Sequence, residues 1–96
     1  MAIFNHYEKI RNTYSPLKVT LKVMNFAASI NDTNTVFECH AGVMSLVEMI
    51  DLYVSRNSEN LTDIQMEDID YEIQLLADQS TDLFESYKLK IQEMAS

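Results

Sequence analysis

The sequence predicts an all-α protein, a small elongated helical bundle in which a kinked N-terminal helix precedes a long antiparallel helical hairpin. The 96 residues include one glycine and one proline, which are too few turn formers for a sheet of several strands. Hydrophobic residues make up 47% of the chain, enough to supply the core of one small domain. In the last third of the chain, apolar residues recur every three or four positions, which is the helical period.

The C-terminal helix is predicted over residues 63–94. Thr62 and Gln65 have the spacing of a capping box, and Leu61 and Met66 have that of a hydrophobic staple. The inward stripe of this helix comprises Met66, Ile69, Ile73, Leu76, Ser80, Leu83, Tyr87, Ile91 and Met94. Such a helix is about 48 Å long, whereas a compact domain of this size is about 30 Å across. Either the bundle is elongated or the helix end packs on a second copy.

The preceding helix is predicted over residues 35–56, because Thr35 and Glu38 have the spacing of a second capping box. Its inward face comprises Val36, His40, Val43, Val47, Ile50 and Val54, flanked by Cys39, Leu46 and Tyr53. The polar stretch RNSEN, residues 56–60, then forms a short connection. A connection of this length predicts that the two helices are antiparallel neighbours.

The first thirty residues are predicted to form helices over residues 3–14 and 16–30, bent at Ser15-Pro16. A serine followed by a proline is the pattern of an N-cap and the first helical position. The first helix has an apolar stripe of Ile3, Tyr7, Ile10 and Tyr14.

Residues 17–23 alternate between apolar and polar as a strand would, so a strand remains an alternative for this segment. A helix is favoured because the polar residues fall on one helical face: Lys18, Lys22, Asn25 and Ser29. This helix is expected to be mostly buried.

Charge is distributed unevenly along the chain. Residues 1–31 contain four basic groups and one acid, whereas residues 32–96 contain three basic groups and fourteen acids. A net charge of −8 repels phosphate, so direct nucleic-acid binding is not expected. The N-terminal basic groups are expected to bridge to the acidic segment, within the fold or across a dimer.

No apolar run approaches the roughly 20 residues that span a bilayer, and the N-terminus lacks the pattern of a secretory signal. Cys39 is the single cysteine, so an internal disulfide is not expected. These features predict a cytoplasmic protein with no membrane partner.

Cys39 and His40 are the candidates for metal binding or nucleophilic chemistry. Neighbours on a helix point about 100° apart, so their side chains would not converge on one ion or proton. A packed cysteine beside a hydrogen-bonded histidine is therefore expected. Gly42 lies inside a helix and not in a phosphate-binding loop, and its expected role is close packing against another helix. The sequence predicts no enzymatic activity, no catalytic residue, no metal site and no cofactor.

Nine carboxylates and no lysine or arginine lie between residues 59 and 85. A solvated face that keeps the protein soluble would explain this run. However, Ile64, Tyr71 and Leu75 share the side opposite the inward stripe and have acids around them, and an apolar centre with a charged rim is typical of an interface. We call the predicted partner-binding set the acidic-apolar patch: Ile64, Glu67, Asp68, Tyr71, Leu75, Asp78 and Asp82. Burial of the patch under the N-terminal helix is the alternative.

The sequence therefore predicts a non-catalytic adaptor or inhibitor that occupies a basic surface of another protein. Nucleic-acid-handling complexes carry basic grooves, so a mobile-element antagonist of host defence, of anti-CRISPR or anti-restriction type, is one concrete form. A self-assembling structural or secretion-chaperone subunit is the alternative function. A homodimer is compatible with both hypotheses.

Overall fold

A computed structural model describes residues 5–95 and confirms the all-α fold. The described residues form four α-helices, one 3-10 turn and no strand, and the segment that alternates like a strand is helical. The elements are α1 (His6–Arg11), α2 (Tyr14–Ser29), α3 (Thr33–Arg56), a 3-10 turn (Ser58–Asn60) and α4 (Asp63–Ala95). Together α1 and α2 form a kinked arm that packs with the α3–α4 hairpin. Part of the predicted helix 3–14 lies outside the described residues.

The bundle is elongated, as the length of the C-terminal helix predicts. Its extents are 59 × 23 × 16 Å. Because α3 is antiparallel to both of its neighbours, α2 and α4 run parallel. Met24 contacts Ser80 near the middle of the bundle, and Thr33 contacts Tyr87 towards one end, so these pairs mark equal heights along it.

The kink lies at Asn12–Thr13, so the prediction that places it at Ser15-Pro16 is wrong. The Thr13 hydroxyl donates to the carbonyl oxygen of Ile10 at 2.6 Å and closes the end of α1. Pro16 is the third residue of α2. The backbone nitrogens of a first helical turn have no acceptor within the helix, so proline is tolerated there without marking the start.

The start of α3 also differs from the prediction. The Asp32 carboxylate accepts hydrogen bonds from the backbone N–H of Thr35 at 3.3 Å and from its hydroxyl at 2.6 Å. Asp32 is therefore the N-cap, α3 begins at Thr33, and the predicted capping box at Thr35 and Glu38 is wrong. The two Thr35 hydrogen bonds lower the pKa of the Asp32 carboxyl.

The start of α4 is confirmed. The N–H of Thr62 donates to Gln65 Oε1 at 3.0 Å, and the N–H of Gln65 donates to Thr62 Oγ1 at 3.1 Å. These reciprocal bonds form the predicted capping box. Leu61 is buried and Met66 packs against the same cluster, as a hydrophobic staple requires.

The core consists of two buried clusters along the bundle axis. The first joins α1, α2, α3 and the N-terminal half of α4, and the second is built on Met24, Ala27, Val36 and Tyr87. Most of the predicted inward stripe of α4 is buried or half-buried. Met94 is exposed, contrary to prediction, because it lies two turns beyond Tyr87, where the α2–α3 connection ends.

The prediction that α2 is mostly buried is wrong. Its inner face is buried through Leu17, Met24 and Ala27. Its opposite face is apolar but exposed, and we call it the α2 stripe: Val19, Val23, Phe26 and the C-cap residue Ile30. Both α3 and α4 pack on one side of α2, and this leaves the α2 stripe in solvent.

Gly42 does not provide close helix packing, so that prediction is also wrong. It is exposed on α3, and among residues 5–95 a Cβ atom added there would meet nothing within 4 Å. The glycine therefore does not lie against another helix of the described chain.

Candidate functional site

The apolar centre of the acidic-apolar patch faces solvent. Ile64, Tyr71 and Leu75 are 79%, 67% and 41% exposed. Their separations of seven and four residues place them on one helical face, opposite the buried Ile69 and Ile73. The alternative, in which the N-terminal helix covers this face, does not hold for the described residues.

An open groove of about 350 Å³ crosses this face. Its lining comprises Glu67, Asp70, Tyr71, Gln74, Leu75 and Asp78. Four members of the predicted patch, including Tyr71, therefore line one depression. The Gln74 amide donates to Asp78 Oδ1 at 3.0 Å, which holds one wall of the groove.

Asp70 and Gln74 also line this groove, although they lie outside the predicted patch. Their spacing is the signal in the sequence, because they lie three and seven residues after Glu67 and so share its side of the helix. Both are polar residues on an exposed helix, and in sequence they resemble ordinary solvated positions.

The remaining predicted members lie outside the groove. Asp68 turns towards α1, where its Oδ2 accepts a 2.5 Å hydrogen bond from the Tyr7 hydroxyl. This bond is the main reason why the pKa of Tyr7 is raised. Ile64 and Asp82 are exposed beyond the two ends of the groove, about one turn from Glu67 and Asp78.

The acidic surface extends from α4 onto α3. Burial raises the pKa of the Asp51 carboxyl, and the nearby carboxylates of Asp70 and Glu48 raise it further. Asp51 and Asp70 are 19 positions apart in sequence and belong to different helices, so helical periodicity does not reveal that they are neighbours. Asp70, which lines the groove, thus lies near a carboxylate of α3.

Within the described part of one chain, Arg11, Lys18 and Lys22 do not bridge to this surface, so for these three cations only bridging across a dimer stays a prediction. Arg11 pairs with Glu8 of its own helix at 3.2 Å. Neither Lys18 nor Lys22 forms an ion pair within the described part of the chain. These two lysines lie exposed on α2, away from the carboxylates of the groove.

The structure confirms a packed cysteine beside a hydrogen-bonded histidine. The His40 Nδ1 atom forms a 2.9 Å hydrogen bond with Ser80 Oγ, and the ring stacks on Phe84 with centroids 4.2 Å apart. Burial lowers the pKa of His40. Cys39 packs against the second core cluster, and burial raises the pKa of its thiol. Among residues 5–95, no group of three or more His, Cys, Asp or Glu residues is arranged to hold a metal ion.

Within the described residues, no helix combines the length and the apolar character needed to cross a bilayer. Comparisons of this chain with protein-family models, with curated proteins and with solved structures found no significant match.

Proposed function

We propose that this chain is a non-catalytic protein-binding module whose acidic-apolar patch docks on a basic surface of a protein partner. The observation that carries the proposal is the exposure of Tyr71, which is 67% exposed and lines a groove together with three carboxylates. Tyrosine is one of the residues most often found at the energetic centre of an interface. A ring of charge around such a residue is the usual arrangement of a protein-binding surface.

The apolar centre and the acidic rim have different roles in binding. Removal of the Tyr71 and Leu75 side chains from water supplies binding free energy, at about 25 cal/mol for each Å² of apolar surface buried. The carboxylates of Glu67, Asp70 and Asp78 attract a basic partner over a distance and set its orientation, which mainly raises the association rate. This division suits a partner that presents lysines or arginines beside an apolar surface.

Proteins that handle nucleic acids have surfaces of this kind, because their binding grooves carry cations that neutralise phosphates. A rod with nine carboxylates between residues 59 and 85 can occupy such a groove in place of nucleic acid. In this form the chain acts in the cytoplasm as a stoichiometric inhibitor, for example as a mobile-element antagonist of CRISPR or restriction systems.

The test is affinity purification from the native host with three baits. They are the wild type, a patch variant with Glu67→Lys and Asp78→Lys, and a control with Glu38→Lys and Glu59→Lys. The control changes the net charge by the same amount at exposed sites outside the groove. Mass spectrometry is expected to identify a basic protein that binds the wild type and the control but not the patch variant.

The purified partner is then titrated with the wild type by calorimetry at increasing salt. The affinity is expected to fall steeply, because salt screens exposed charges. Tyr71→Ala is expected to weaken binding at every salt concentration. Equal capture by all three baits, the absence of a specifically captured protein, or an affinity independent of salt would each refute the proposal.

A further inference from the structure

The outer face of α2 is both apolar and basic. The α2 stripe recurs at intervals of four, three and four residues, which is the spacing of a seam between two packed helices. Phe26 is 64% exposed, and even Val23, the least exposed member, is 46% exposed. Lys18 and Lys22 flank the stripe. In the segment 12–31 they are the only charged residues, so this face has positive charge alone.

The lysine-bearing side of α2 borders α4, the helix that carries the acidic-apolar patch. A groove of about 380 Å³ separates α2 from α4, and it is lined by Lys18, Leu21, Lys22, Asn25 and Gln79. One chain thus presents two exposed apolar faces. The α2 face carries lysines, and the α4 face carries carboxylates.

We infer that the partner taken by the acidic-apolar patch is the outer face of α2 on a second copy of this chain, in a closed two-fold dimer. The inference rests on the proposed function, because it assigns an occupant to the same docking surface. It also gives the self-assembly hypothesis a specific geometry. Each dimer contains the α2–α4 contact twice, as an isologous interface requires.

Charge selects this arrangement over the other two ways of pairing the faces. A contact between the α2 faces of two copies would bring four lysines together. A contact between the α4 faces would bring two sets of carboxylates together. Like charges across an interface oppose association, whereas α2 on α4 places opposite charges across both contacts.

The register of the helices agrees with this pairing. A two-fold axis parallel to the bundle places α2 of each copy across α4 of the other at the same height. Met24 contacts Ser80, so a residue of α2 lies level with the residue of α4 that is 56 positions later. Lys22 of the second copy then lies level with Asp78, one turn from Asp82. Val19 of the second copy lies level with Leu75, next to Tyr71.

The test measures mass by sedimentation equilibrium and exchanges the charges. Wild-type protein is expected to approach twice the chain mass of 11.1 kDa as its concentration rises. A basic-face variant with Lys18→Glu and Lys22→Glu is expected to be monomeric. An acidic-face variant with Asp78→Lys and Asp82→Lys is also expected to be monomeric. Far-UV circular dichroism establishes that each variant is folded.

An equimolar mixture of the two variants is the decisive sample. Mixing restores opposite charges at both α2–α4 contacts, so the mixture is expected to form a heterodimer of the wild-type mass. The control variant, Arg56→Glu with Lys88→Glu, reverses two cations outside the α2 face and is expected to remain dimeric.

A wild type that stays monomeric at its highest soluble concentration overturns the dimer. A basic-face variant that remains dimeric, or a mixture that remains monomeric, also overturns it. Such a result leaves the proposed function standing if the Glu67→Lys, Asp78→Lys bait still loses a host protein. If the dimer forms and all baits capture the same host proteins, the patch serves self-association and the proposal of a basic host partner fails.

Discussion

His40 Nδ1 lies 2.9 Å from Ser80 Oγ, and this hydrogen bond joins α3 to α4 inside the bundle. Ser80 is fully buried, and its hydroxyl also lies 3.8 Å from the Met24 sulfur. Because a thioether is a weak acceptor, the histidine is the main partner of this hydroxyl. The Phe84 ring stacks on the imidazole ring of His40 and holds it in place. The pair therefore stabilises the packing of the two long helices.

Replacement of His40 should lower the stability of the protein, because the buried Ser80 hydroxyl then loses its main hydrogen-bond partner. His40→Ala leaves a buried hydroxyl with only a weak partner, so we expect the free energy of unfolding to fall by about 2 kcal/mol. Ser80→Ala together with His40→Ala should cost less than the sum of the two single changes. Urea denaturation measures all three, with the exposed Ser86→Ala as the control. Additive costs would show that the two side chains are not coupled.

The pKa of His40 predicts a pH dependence of stability. Burial lowers this pKa from 6.5, an effect opposed by Glu85 and reinforced by Lys88. Below pH 6.5 the unfolded chain therefore binds a proton at His40 that the folded chain does not bind until the pH is lower. The stability contributed by neutral His40 is fully present above pH 6.5, the pKa of the unfolded chain, and is lost as the pH falls through the lower pKa of the folded chain.

Urea midpoints between pH 7.5 and 5.5 should thus fall more steeply for the wild type than for His40→Gln. The comparison subtracts the contribution of His6, which both proteins contain. Identical slopes would contradict the prediction, as would an NMR titration midpoint of His40 above 6.5.

Two tyrosines of the N-terminal arm should respond differently to loss of the hydroxyl. The Tyr14 hydroxyl is buried and has no hydrogen-bond partner among the described residues. Burial raises the pKa of Tyr14 to about 12, and the Asp68 carboxylate makes a smaller contribution. Tyr14→Phe removes an unsatisfied polar group, so we expect stability to stay constant or rise by up to about 1 kcal/mol. Tyr7→Phe removes the hydrogen bond to Asp68 and should cost about 1 kcal/mol. Thermal and urea denaturation of the two variants provide the comparison.

Gly42→Ala should stabilise the monomer. The added Cβ meets open space, and alanine is favoured over glycine inside a helix by about 1 kcal/mol. The measurement is urea denaturation of the variant at a concentration where the wild type is monomeric. Ala41→Gly on the same exposed stretch of α3 should give the opposite change. A destabilised Gly42→Ala would show that another backbone approaches this site.

Two substitutions distinguish the observed N-cap of α3, Asp32, from the capping box that the sequence predicts at Thr35 and Glu38. Asp32→Ala removes the acceptor of both Thr35 hydrogen bonds and should lower the free energy of unfolding by about 1 kcal/mol. Glu38→Ala removes the predicted partner in the capping box. Because Glu38 is exposed and caps no helix end among the described residues, the change should stay within about 0.5 kcal/mol. The reverse order of effects would support a helix that begins at Thr35.

The candidate site was predictable where it depends on one helix. Tyr71 and Leu75 lie opposite the inward stripe because helical periodicity places them there, whatever the rest of the chain does. The direction of Asp68 was not predictable, because its carboxylate turns to Tyr7 across 61 positions of sequence. The proximity of Asp51 to Asp70 was not predictable either, because it depends on how α3 and α4 pack.

The sequence by itself determined the helical class, the start of α4 and the elongated shape. The physical reason is that capping boxes, helical periods and helix length are local properties, set by residues within a few positions of each other. Only the tertiary structure decided which face of α2 is buried, because α2 has apolar residues on both sides. The side that α3 and α4 cover became core through Leu17 and Met24, and the α2 stripe was left in solvent. Burial depends on which elements come together, and no spacing within one helix specifies that.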